Sequence, residues 1–476
     1  MRFTLLGHGG LAVEAGAQRL LVDPWLSGSC YWRSWWHYPP SEVPADFLAP
    51  DFVYLSHHHF DHFHYPSMRQ LDRHAAVLVP KFAVDVMPDE VRSLGFEHVV
   101  ELPHGEVLEL SPDLRVCSFQ YGFDDSALLV ESRGVVLADF NDCKVRGRAL
   151  DEVLQTFGRP TFLFKSHSWA QGYPVRYRSD DPAQLSMISR DSYVADFLET
   201  VELVQPGYAV PFASMVGFLH PQTAPVNEHV VTPREVADAF AAAPVPGTEV
   251  VVMVPGDSWD LTSGFALGDI DWFEPEIRAA RLAELQEQAR PAMEEAMVEE
   301  ASRTLEWDDF RAFFEGFVRS LPPGAARLLL PRPVTFWMVR DEATPAWTID
   351  ARRRTVERSS VPPADVASVI TVPEGVLVQA IADKVVNLIH ISLRLQVELR
   401  PGGLDSDLGF WGLLAIWELG YLPLTALPRR RVVGVAWRRR RELWEILTTR
   451  LLGRGSMAER MAGGLIAESP VPRIGA

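Results

Sequence analysis

The chain has 476 residues, more than one hydrophobic core normally serves, so two or three domains are expected. Hydrophobic residues make up 47% and charged residues 23%, which is the balance of a folded, soluble protein. Acidic residues outnumber basic ones by 63 to 45, and the formal net charge of -18 argues against a nucleic-acid-binding protein, which needs a basic face.

From the N-terminus to about residue 262, short apolar runs alternate with turns and a few helices, which predicts an α/β domain over 1–262. The first segment, MRFTLLGHGG, has no basic region followed by a long apolar core, so it predicts a strand rather than a signal peptide. The predicted strands are FTLLGH, LAVEA, RLLVDP, FVYLSH, AAVLVP, LRVCSFQ, SALLVES, GVVLADF, TFLFKSH, YAVPFA and EVVVMVP, and the predicted helices are YPSMRQLDRH, DSYVADFLETVELV and PREVADAF.

The composition changes after residue 262. Sequence rich in Ala, Glu, Leu and Arg, with helical spacing, predicts a helical connector over 263–324, and the mixed pattern that follows predicts a smaller α+β domain over 325–476. The order of its strands is similar to that of sterol-carrier-like domains. The predicted strands here are PVTFWMVR, AWTID, SVITVP and LIHISLRLQVEL, and the predicted helix is EGVLVQAIADK.

Three features bear on the environment of the protein. The apolar segment 408–424 contains Glu418 and is too short to span a bilayer comfortably, so a buried helix is expected and no transmembrane segment. The basic runs 429–431 and 438–441 predict a solvated helix face, with an acidic partner, a carrier protein or a membrane surface as the alternative. The three cysteines, odd in number and widely spaced, do not suggest a disulfide framework, so a cytoplasmic location is expected.

The segment HHHFDH has the spacing H-x-H-x-D-H, formed by His57, His59, Asp61 and His62. Two histidines at i and i+2 of an extended segment project from one side, and a following turn would bring the other two side chains into the same space. The segment follows the apolar run DFVYLS, and α/β proteins place their sites at strand ends. Imidazole and carboxylate together suit zinc, iron or manganese, and a chance surface turn is the alternative.

This motif in its context resembles the metallo-β-lactamase superfamily, whose members have an αββα sandwich and a dinuclear metal site. The opening of the chain is similar to the branch that holds the ascorbate-phosphate lactonases and the N-acylphosphatidylethanolamine phospholipase D, and a closer similarity is to the non-Rieske part of CMP-N-acetylneuraminate hydroxylases. The similar segments run in order to about residue 261: DPWLSGSCYWRSWWHYPP, YLSHHHFDHFHYPSM, DSALLVESRGVVLADFNDC, AQGYP, PFASMVGFLHP and PGDSWDL.

The resemblance implies the roles of the motif residues. His57 and His59 would bind one metal, and Asp61 and His62 the second. Asp142, which follows the VVLADFN run, falls where the family has its bridging carboxylate. Two neighbouring residues are alternatives for that position: Asp139 and Asn141.

The resemblance also implies further ligands, and at one ligand position this chain differs from most family members. His220 falls near the last ligand position, and His167 is a candidate ligand or substrate contact. His220 and the motif aspartate Asp61 are the candidate catalytic residues. Most members have another histidine before the bridging-carboxylate strand, where this chain reads SFQYGFDDSAL. Asp124 or Asp125 would fill that position or only cap the turn, and a carboxylate there favours iron or manganese over zinc.

Other residues near the motif have supporting or unrelated roles. His8 and Asp23 end strands and are expected to orient ligands by hydrogen bonds. His58 alternates away from the site, and His104 is expected to be a turn histidine rather than a ligand.

A loop rich in tryptophan and several scattered cations are candidate substrate contacts. Trp35 and Trp36, with Trp32 beside them, would stack on an apolar or ring-bearing substrate, or else pack as an ordinary loop. Cationic side chains that would bind a phosphate or carboxylate group are Arg33, Lys165, Arg176 and Arg178.

Two enzyme classes fit this scaffold, and the hydroxylase-like segments favour an oxygenase with two irons, acting on a small-molecule substrate of tailoring metabolism. A Rieske cluster needs paired Cys and His motifs, which are not present around Cys30, Cys117 or Cys143, so an external reductase or reductant would supply electrons. CMP-sialic acid itself is therefore not the expected substrate. The alternatives are a zinc or manganese hydrolase of lactones, esters or phosphodiesters, and a non-catalytic binding protein on a degenerate scaffold.

Overall fold

The computed structural model describes residues 1–84, 86–168, 171–337 and 345–426, together with Val433 and Trp437. The basic runs 429–431 and 438–441, predicted to form a solvated helix face or to meet an acidic partner, lie outside the described residues.

Two large sheets form the first part of the chain. Within the described residues the first sheet has eight strands, in the spatial order Gly264–Ala266, Ser258–Asp260, Arg2–Leu5, Leu11–Ala15, Gln18–Val22, Phe52–Tyr54, Ala76–Pro80 and Val99–Leu102. The second sheet, counted over the same residues, has seven: Glu249–Val250, Tyr208–Phe212, Phe162–Ser166, Val135–Asn141, Asp125–Ser132, Leu114–Tyr121 and Val107–Ser111.

The two sheets face each other across a shared apolar core, in which Phe3 and Val13 of the first sheet lie among Val130 and Phe162 of the second. Helices cover both outer faces. Those on the first sheet are Tyr65–Met68 and Met87–Ser93, and those on the second are Gly147–Phe157, Arg190–Val204 and Pro233–Ala242. This arrangement confirms the predicted αββα sandwich.

Two of the outer helices begin with reciprocal hydrogen bonds that the sequence encodes locally. Ser189 and Ser192 form a capping box at the start of Arg190–Val204, and Thr232 and Glu235 form another at the start of Pro233–Ala242. A capping box satisfies backbone N–H groups that the first helical turn leaves without partners. The described residues also contain short 3-10 helices, three in the first part of the chain and one near its end: Ala45–Leu48, Pro182–Leu185, Ala224–Glu228 and Leu424–Ala426.

The second half contains helices around a third sheet. Among the described residues this sheet has six strands, in the order Tyr177–Ser179, Gln396–Leu399, Ser368–Thr371, Val334–Trp337, Ala346–Asp350 and Thr355–Ser359. The helices are Pro275–Ala301, Trp307–Ser320, Pro323–Leu329, Glu374–Asp383, Leu388–Ser392 and Leu404–Glu418. The first strand of the sheet comes from 1–262 and pairs with Gln396–Leu399. The domain boundaries and the sterol-carrier-like similarity stay predictions.

The helix Leu404–Glu418 is buried against the core of the second half, as the apolar segment predicted. In the part of the chain that the structure describes, no helix combines the length and apolar character needed to cross a bilayer. Cys30, Cys117 and Cys143 are buried free thiols.

One strand prediction is wrong in its first half. The run LIHISLRLQVEL, predicted as a strand over 388–399, forms the helix Leu388–Ser392, a left-handed residue at Leu393 (φ 63°), and a strand only over Gln396–Leu399. The helix places His390 in a buried contact with the Tyr177 hydroxyl, 2.8 Å away. That contact spans more than two hundred residues of sequence, so the local alternation of apolar residues gave no sign of it.

The helix predicted over 65–74 is also shorter, ending at Met68. Beyond it the Asp72 N–H donates to the carbonyl of Leu48 (2.8 Å) instead of continuing the helical ladder. The strand predicted over 249–255 is limited to Glu249–Val250.

Two helical glycines test how closely the helix Pro275–Ala301, called the connector helix below, packs against the helix Glu374–Asp383. A Cβ at buried Gly375 would clash with the backbone carbonyl of Glu300, whereas one at exposed Gly324 meets nothing within 4 Å. We therefore expect Gly375→Ala to lower the free energy of unfolding by about 1–3 kcal/mol, since backbone cannot move aside cheaply. Gly324→Ala should raise it by about 0.5–1 kcal/mol through helix propensity. Urea unfolding measures both, and equal effects would contradict the packing described.

Candidate metal centre

The H-x-H-x-D-H segment follows the strand Phe52–Tyr54 and folds into a tight turn. The N–H groups of His62 and Phe63 both donate to the carbonyl of His59, at 3.0 and 2.7 Å. This turn brings the four motif side chains together. His57 Nε2 lies 2.9 Å from His59 Nδ1, and His62 Nε2 lies 3.3 Å from Asp61 Oδ2.

Asp142 reaches the same place from the second sheet. It follows the strand Val135–Asn141, and its Oδ2 lies 3.5 Å from His62 Nε2. Two groups of ligand atoms result, each within 4.8 Å of one another: His8, Asp61 and His62, and His57, His62 and Asp142. His62 belongs to both groups. The alternative Asp139 is 3% exposed within the strand, and burial raises its pKa well above the usual value.

Asp23 orients the cluster from behind, in the role expected from its position at a strand end. Its Oδ2 accepts a hydrogen bond from the Asn141 amide at 2.7 Å and lies 2.8 Å from His62 Nδ1. With Nδ1 satisfied in this way, the imidazole presents Nε2 to Asp61 and Asp142. A fixed second nitrogen is what sets the orientation of a ligating histidine.

Asp61 is held by two buried side chains. His8 Nε2 lies 2.9 Å from Asp61 Oδ2, and the Tyr31 hydroxyl donates to Oδ1 at 2.5 Å. His8 was an expected orienting residue. Tyr31 was not among the candidates, because a tyrosine in an aromatic-rich loop usually belongs to the core. It lies, however, in the segment DPWLSGSCYWRSWWHYPP, which is one of those similar to the hydroxylases.

The glycines of the GHGG segment make room for two imidazole rings. A Cβ at Gly9 would lie 2.8 Å from His62 Cε1, and one at Gly7 would clash with His37. The His37 ring in turn accepts from the His8 N–H at 3.4 Å. Any side chain at Gly9 would therefore displace the ring shared by both ligand groups.

Protonation states follow from the balance of burial and charge. Burial opposes a charge on His62, but the Asp61 and Asp23 carboxylates outweigh it and raise the pKa of His62 well above the usual value. Burial, with the neighbouring His62 ring, lowers the pKa of His57. Asp142 stays acidic: burial opposes ionisation, but the hydrogen bond and charge of His62 lower its pKa.

Asp124 and Asp125, the two candidates for the ligand position where most family members have a histidine, have different surroundings. Asp125 Oδ1 lies 3.7 Å from His57 Nδ1, and burial with the charges of Asp124 and Asp142 raises the pKa of Asp125. Asp124, the other candidate for that ligand position, instead lines a small pocket with His58 and Phe82. Asp125 is therefore the better placed of the pair.

His167 and His220 are buried and neutral, but neither belongs to the close ligand groups found among the described residues. Burial lowers the pKa of each to about 3, with the charges of Arg394 and Arg33 adding to the effect on His220. His167 Nδ1 faces the carbonyl of Phe212 (3.3 Å), and His220 Nδ1 accepts from the Gln222 N–H (3.1 Å).

Unpaired nitrogens indicate that the cluster fits a metal. Within the cluster the Nε2 atoms of His8 and His62 are buried and make no hydrogen bond of good geometry among the described residues, and the same is true of His167 and His220 outside it. A buried imidazole nitrogen without a partner is costly unless it has a ligand to bind. Neutral imidazoles beside ionised carboxylates are the donor set of zinc, iron and manganese sites.

The two tryptophans predicted as substrate contacts differ in exposure. Trp35 is 1% exposed and packs edge-on against His8 and Phe218, whereas Trp36 is partly exposed and donates to the carbonyl of Arg33 at 3.0 Å. Trp35 therefore supports the cluster from its core side.

Lys165 and Arg176 have internal partners. Lys165 is fully buried, with Nζ donating to Asp196 Oδ2 at 2.5 Å, and Arg176 donates to the carbonyl of Leu395 at 2.9 Å. Burial lowers the pKa of Lys165 to about 7. This placement does not support a substrate contact for either residue, and strand alternation in a sheet covered on both faces could not reveal it.

No protein-family model matches the chain. A protein described as a Rieske 2Fe-2S iron–sulfur protein from Mycolicibacterium smegmatis is 28% identical over 249 residues, covering 48% of this chain and 46% of the relative. The cytidine monophosphate-N-acetylneuraminic acid hydroxylase of Mus musculus is 25% identical over 244 residues, covering 48% and 41%. The chain thus spans about half the length of the curated relatives it matches, and the predicted similarity to these hydroxylases is confirmed over that part.

Solved structures that resemble the chain include metallo-β-lactamase-fold proteins. The isothiocyanate hydrolase from Delia radicum gut bacteria is 17% identical, with 56% of this chain and 100% of that chain covered and a TM-score of 0.39. CmlA, a diiron β-hydroxylase from Streptomyces venezuelae, is 17% identical, with 53% and 52% covered and a TM-score of 0.38. A hydrolase and a hydroxylase are thus both among them.

The buried ion pair of Lys165 gives a prediction about stability. Asp196 also accepts from Arg146 at 2.7 Å and lies 3.7 Å from Lys144, so Asp196→Asn leaves three cations without their carboxylate. We expect a loss of about 3–5 kcal/mol in the free energy of unfolding. Glu199→Gln, at a 40% exposed position 3.9 Å from Arg146, should change it by no more than about 0.5 kcal/mol. Similar effects of both changes in urea unfolding would contradict this.

Proposed function

We propose that the protein is a dinuclear-metal enzyme that works as a diiron oxygenase and hydroxylates a small molecule with electrons from an external donor. The residues that would hold the metals are His57, His59, Asp61, His62 and Asp142, with Asp125 as a further carboxylate and His220 and His167 as additional candidates.

The observation that carries the oxygenase proposal is the carboxylate of Asp125 beside His57. It comes from the segment in which most members of the resembled family have a histidine, and as a ligand it would give the donor set an oxygen in place of a nitrogen. Hard oxygen ligands suit iron or manganese better than zinc. The hydroxylases and the Rieske protein among the relatives support the same direction.

When bound, two irons would supply the reduction of dioxygen. Hydroxylation of one C–H bond consumes one dioxygen, two electrons and two protons, and releases one water. On this proposal the electrons come from a reductase or a small reductant. The chain's contribution is to orient the ligands: Asp23 fixes His62, and Tyr31 and His8 fix Asp61.

The charge state of His62 predicts how metal binding depends on pH. Asp61, Asp23 and Asp142 raise its pKa, so a proton competes for His62 below that pKa. A metal must displace this proton, because histidine binds metals in its neutral form. Metal affinity should therefore fall as pH falls.

A zinc or manganese hydrolase of lactones, esters or phosphodiesters is the second candidate. The group His57, His62 and Asp142 is also an ordinary donor set for zinc. In that case a metal-bound hydroxide would be the nucleophile. Turnover of such a substrate by the zinc form, lost in His59→Ala, would replace the oxygenase proposal.

Dioxygen reactivity tests the proposal. The full chain is loaded with iron, reduced chemically without oxygen, and mixed with dioxygen while oxygen consumption and the optical spectrum are followed. We expect consumption by the wild-type protein and a rate at least about tenfold lower in Asp125→Asn, since a ligand or its immediate support is lost.

Asp124→Asn is the matched control, because Asp124 lines the pocket of His58 and Phe82, and this variant should react as the wild-type protein does. A wild-type protein that stays inert after iron loading would refute the oxygenase role. Equal rates in Asp125→Asn and the wild type would remove Asp125 from the centre.

A further inference from the structure

Three consecutive residues next to the metal cluster have an unusual backbone. Tyr31, Trp32 and Arg33 have φ values of 52°, 54° and 59°, and none of them is glycine. They join the short strands Ser29–Cys30 and Trp35–His37, which form a small sheet with Val216–Phe218. Left-handed backbone is disfavoured for such side chains and persists only where surrounding structure holds it.

A single arginine from the second half of the chain holds this turn. Arg394 donates through Nη1 to the carbonyl of Trp32 at 2.7 Å. Its Nε donates to Gln222 Oε1 at 2.8 Å, and its Nη2 donates to Glu300 Oε1 at 2.7 Å. The side chain of Arg394 is 2% exposed, and its three partners are partly buried. One guanidinium therefore joins the turn, the loop after His220 and the connector helix.

Both contacts of Arg394 on the first half lead to candidate metal residues. The turn carries Tyr31, whose hydroxyl donates to Asp61 Oδ1 at 2.5 Å. The Gln222 N–H donates to His220 Nδ1 at 3.1 Å, which leaves Nε2 of that ring without a partner. Each path consists of one or two direct hydrogen bonds, so a shift of the guanidinium would move both residues.

We propose that Arg394 is a positioning residue by which the second half of the chain sets the geometry of the metal centre, through Tyr31 to Asp61 and through Gln222 to His220. This rests on the proposed metal function. Glu300 contacts the guanidinium directly and offsets its charge, and the role assigned here to Arg394 is one of geometry; Arg394→Lys keeps the charge and separates the two effects. The planar fork of arginine makes three contacts in fixed directions, which a lysine cannot reproduce.

A control arginine of the same region separates this role from general stability. Arg332 also makes three hydrogen bonds, to the carbonyls of Asp365, Val366 and Pro401, and none of them reaches the metal cluster. Arg332→Ala thus removes a comparable set of contacts within the second half of the chain alone.

The test is a titration of the full chain with Co²⁺, followed by its visible absorption and by competition with a chelating dye. We expect Arg394→Ala and Arg394→Lys to lose about 10–100-fold in affinity with altered bands, the usual effect of removing an outer support. Arg332→Ala should match the wild type in both readouts, even if its unfolding midpoint falls.

Tyr31→Phe keeps the proposal testable if Arg394→Ala does not fold. It should change the bands in the same direction, and combining it with Arg394→Lys should add less than the two separate effects, because both act on Asp61. Wild-type spectrum and affinity in Arg394→Lys and Tyr31→Phe would overturn the proposal. Failure of the wild-type protein itself to bind Co²⁺ would instead refute the proposed metal function.

Discussion

The carboxylate of Asp23 is the contact on which the geometry of the metal cluster depends. It is fully buried and accepts from the backbone N–H of Ser56 (2.7 Å), the Ser56 hydroxyl (2.5 Å) and the Asn141 amide (2.7 Å), while His62 Nδ1 lies 2.8 Å away. A buried carboxylate is tolerable only when its oxygens are satisfied. Because the donors come from both sheets, satisfying Asp23 also fixes where the sheets meet the motif.

The charges around that contact explain why a metal suits the site. Asp61 and Asp142 both keep lowered pKa values in spite of burial, and a protonated His62 lies between them. Several buried carboxylates against few cations are unfavourable in a dry environment. A divalent ion supplies the missing positive charge, so metal binding would contribute directly to the stability of this end of the sandwich.

The sequence was sufficient for the features that depend on local pattern. The alternation of apolar runs predicted an α/β domain, the family resemblance implied the αββα sandwich, and the spacing of the H-x-H-x-D-H motif predicted that its four side chains meet. Features that depend on distant partners were not predictable. Lys165 donates to Asp196, which is 31 residues away in the sequence, and Arg394 donates to the carbonyl of Trp32, which is 362 residues away. Which member of the Asp124–Asp125 pair faces the cluster is a matter of strand register, which adjacent identical residues cannot reveal.

The metal content of the full chain tests the central claim most directly. Protein expressed in iron-supplemented medium would be analysed for its elements, and its optical spectrum recorded. The account predicts two irons per chain, with a ligand-to-iron charge-transfer band that is lost on removal of the metal. Protein that holds two zincs and does not retain iron would contradict the oxygenase account, and protein without bound metal would contradict the metal centre itself.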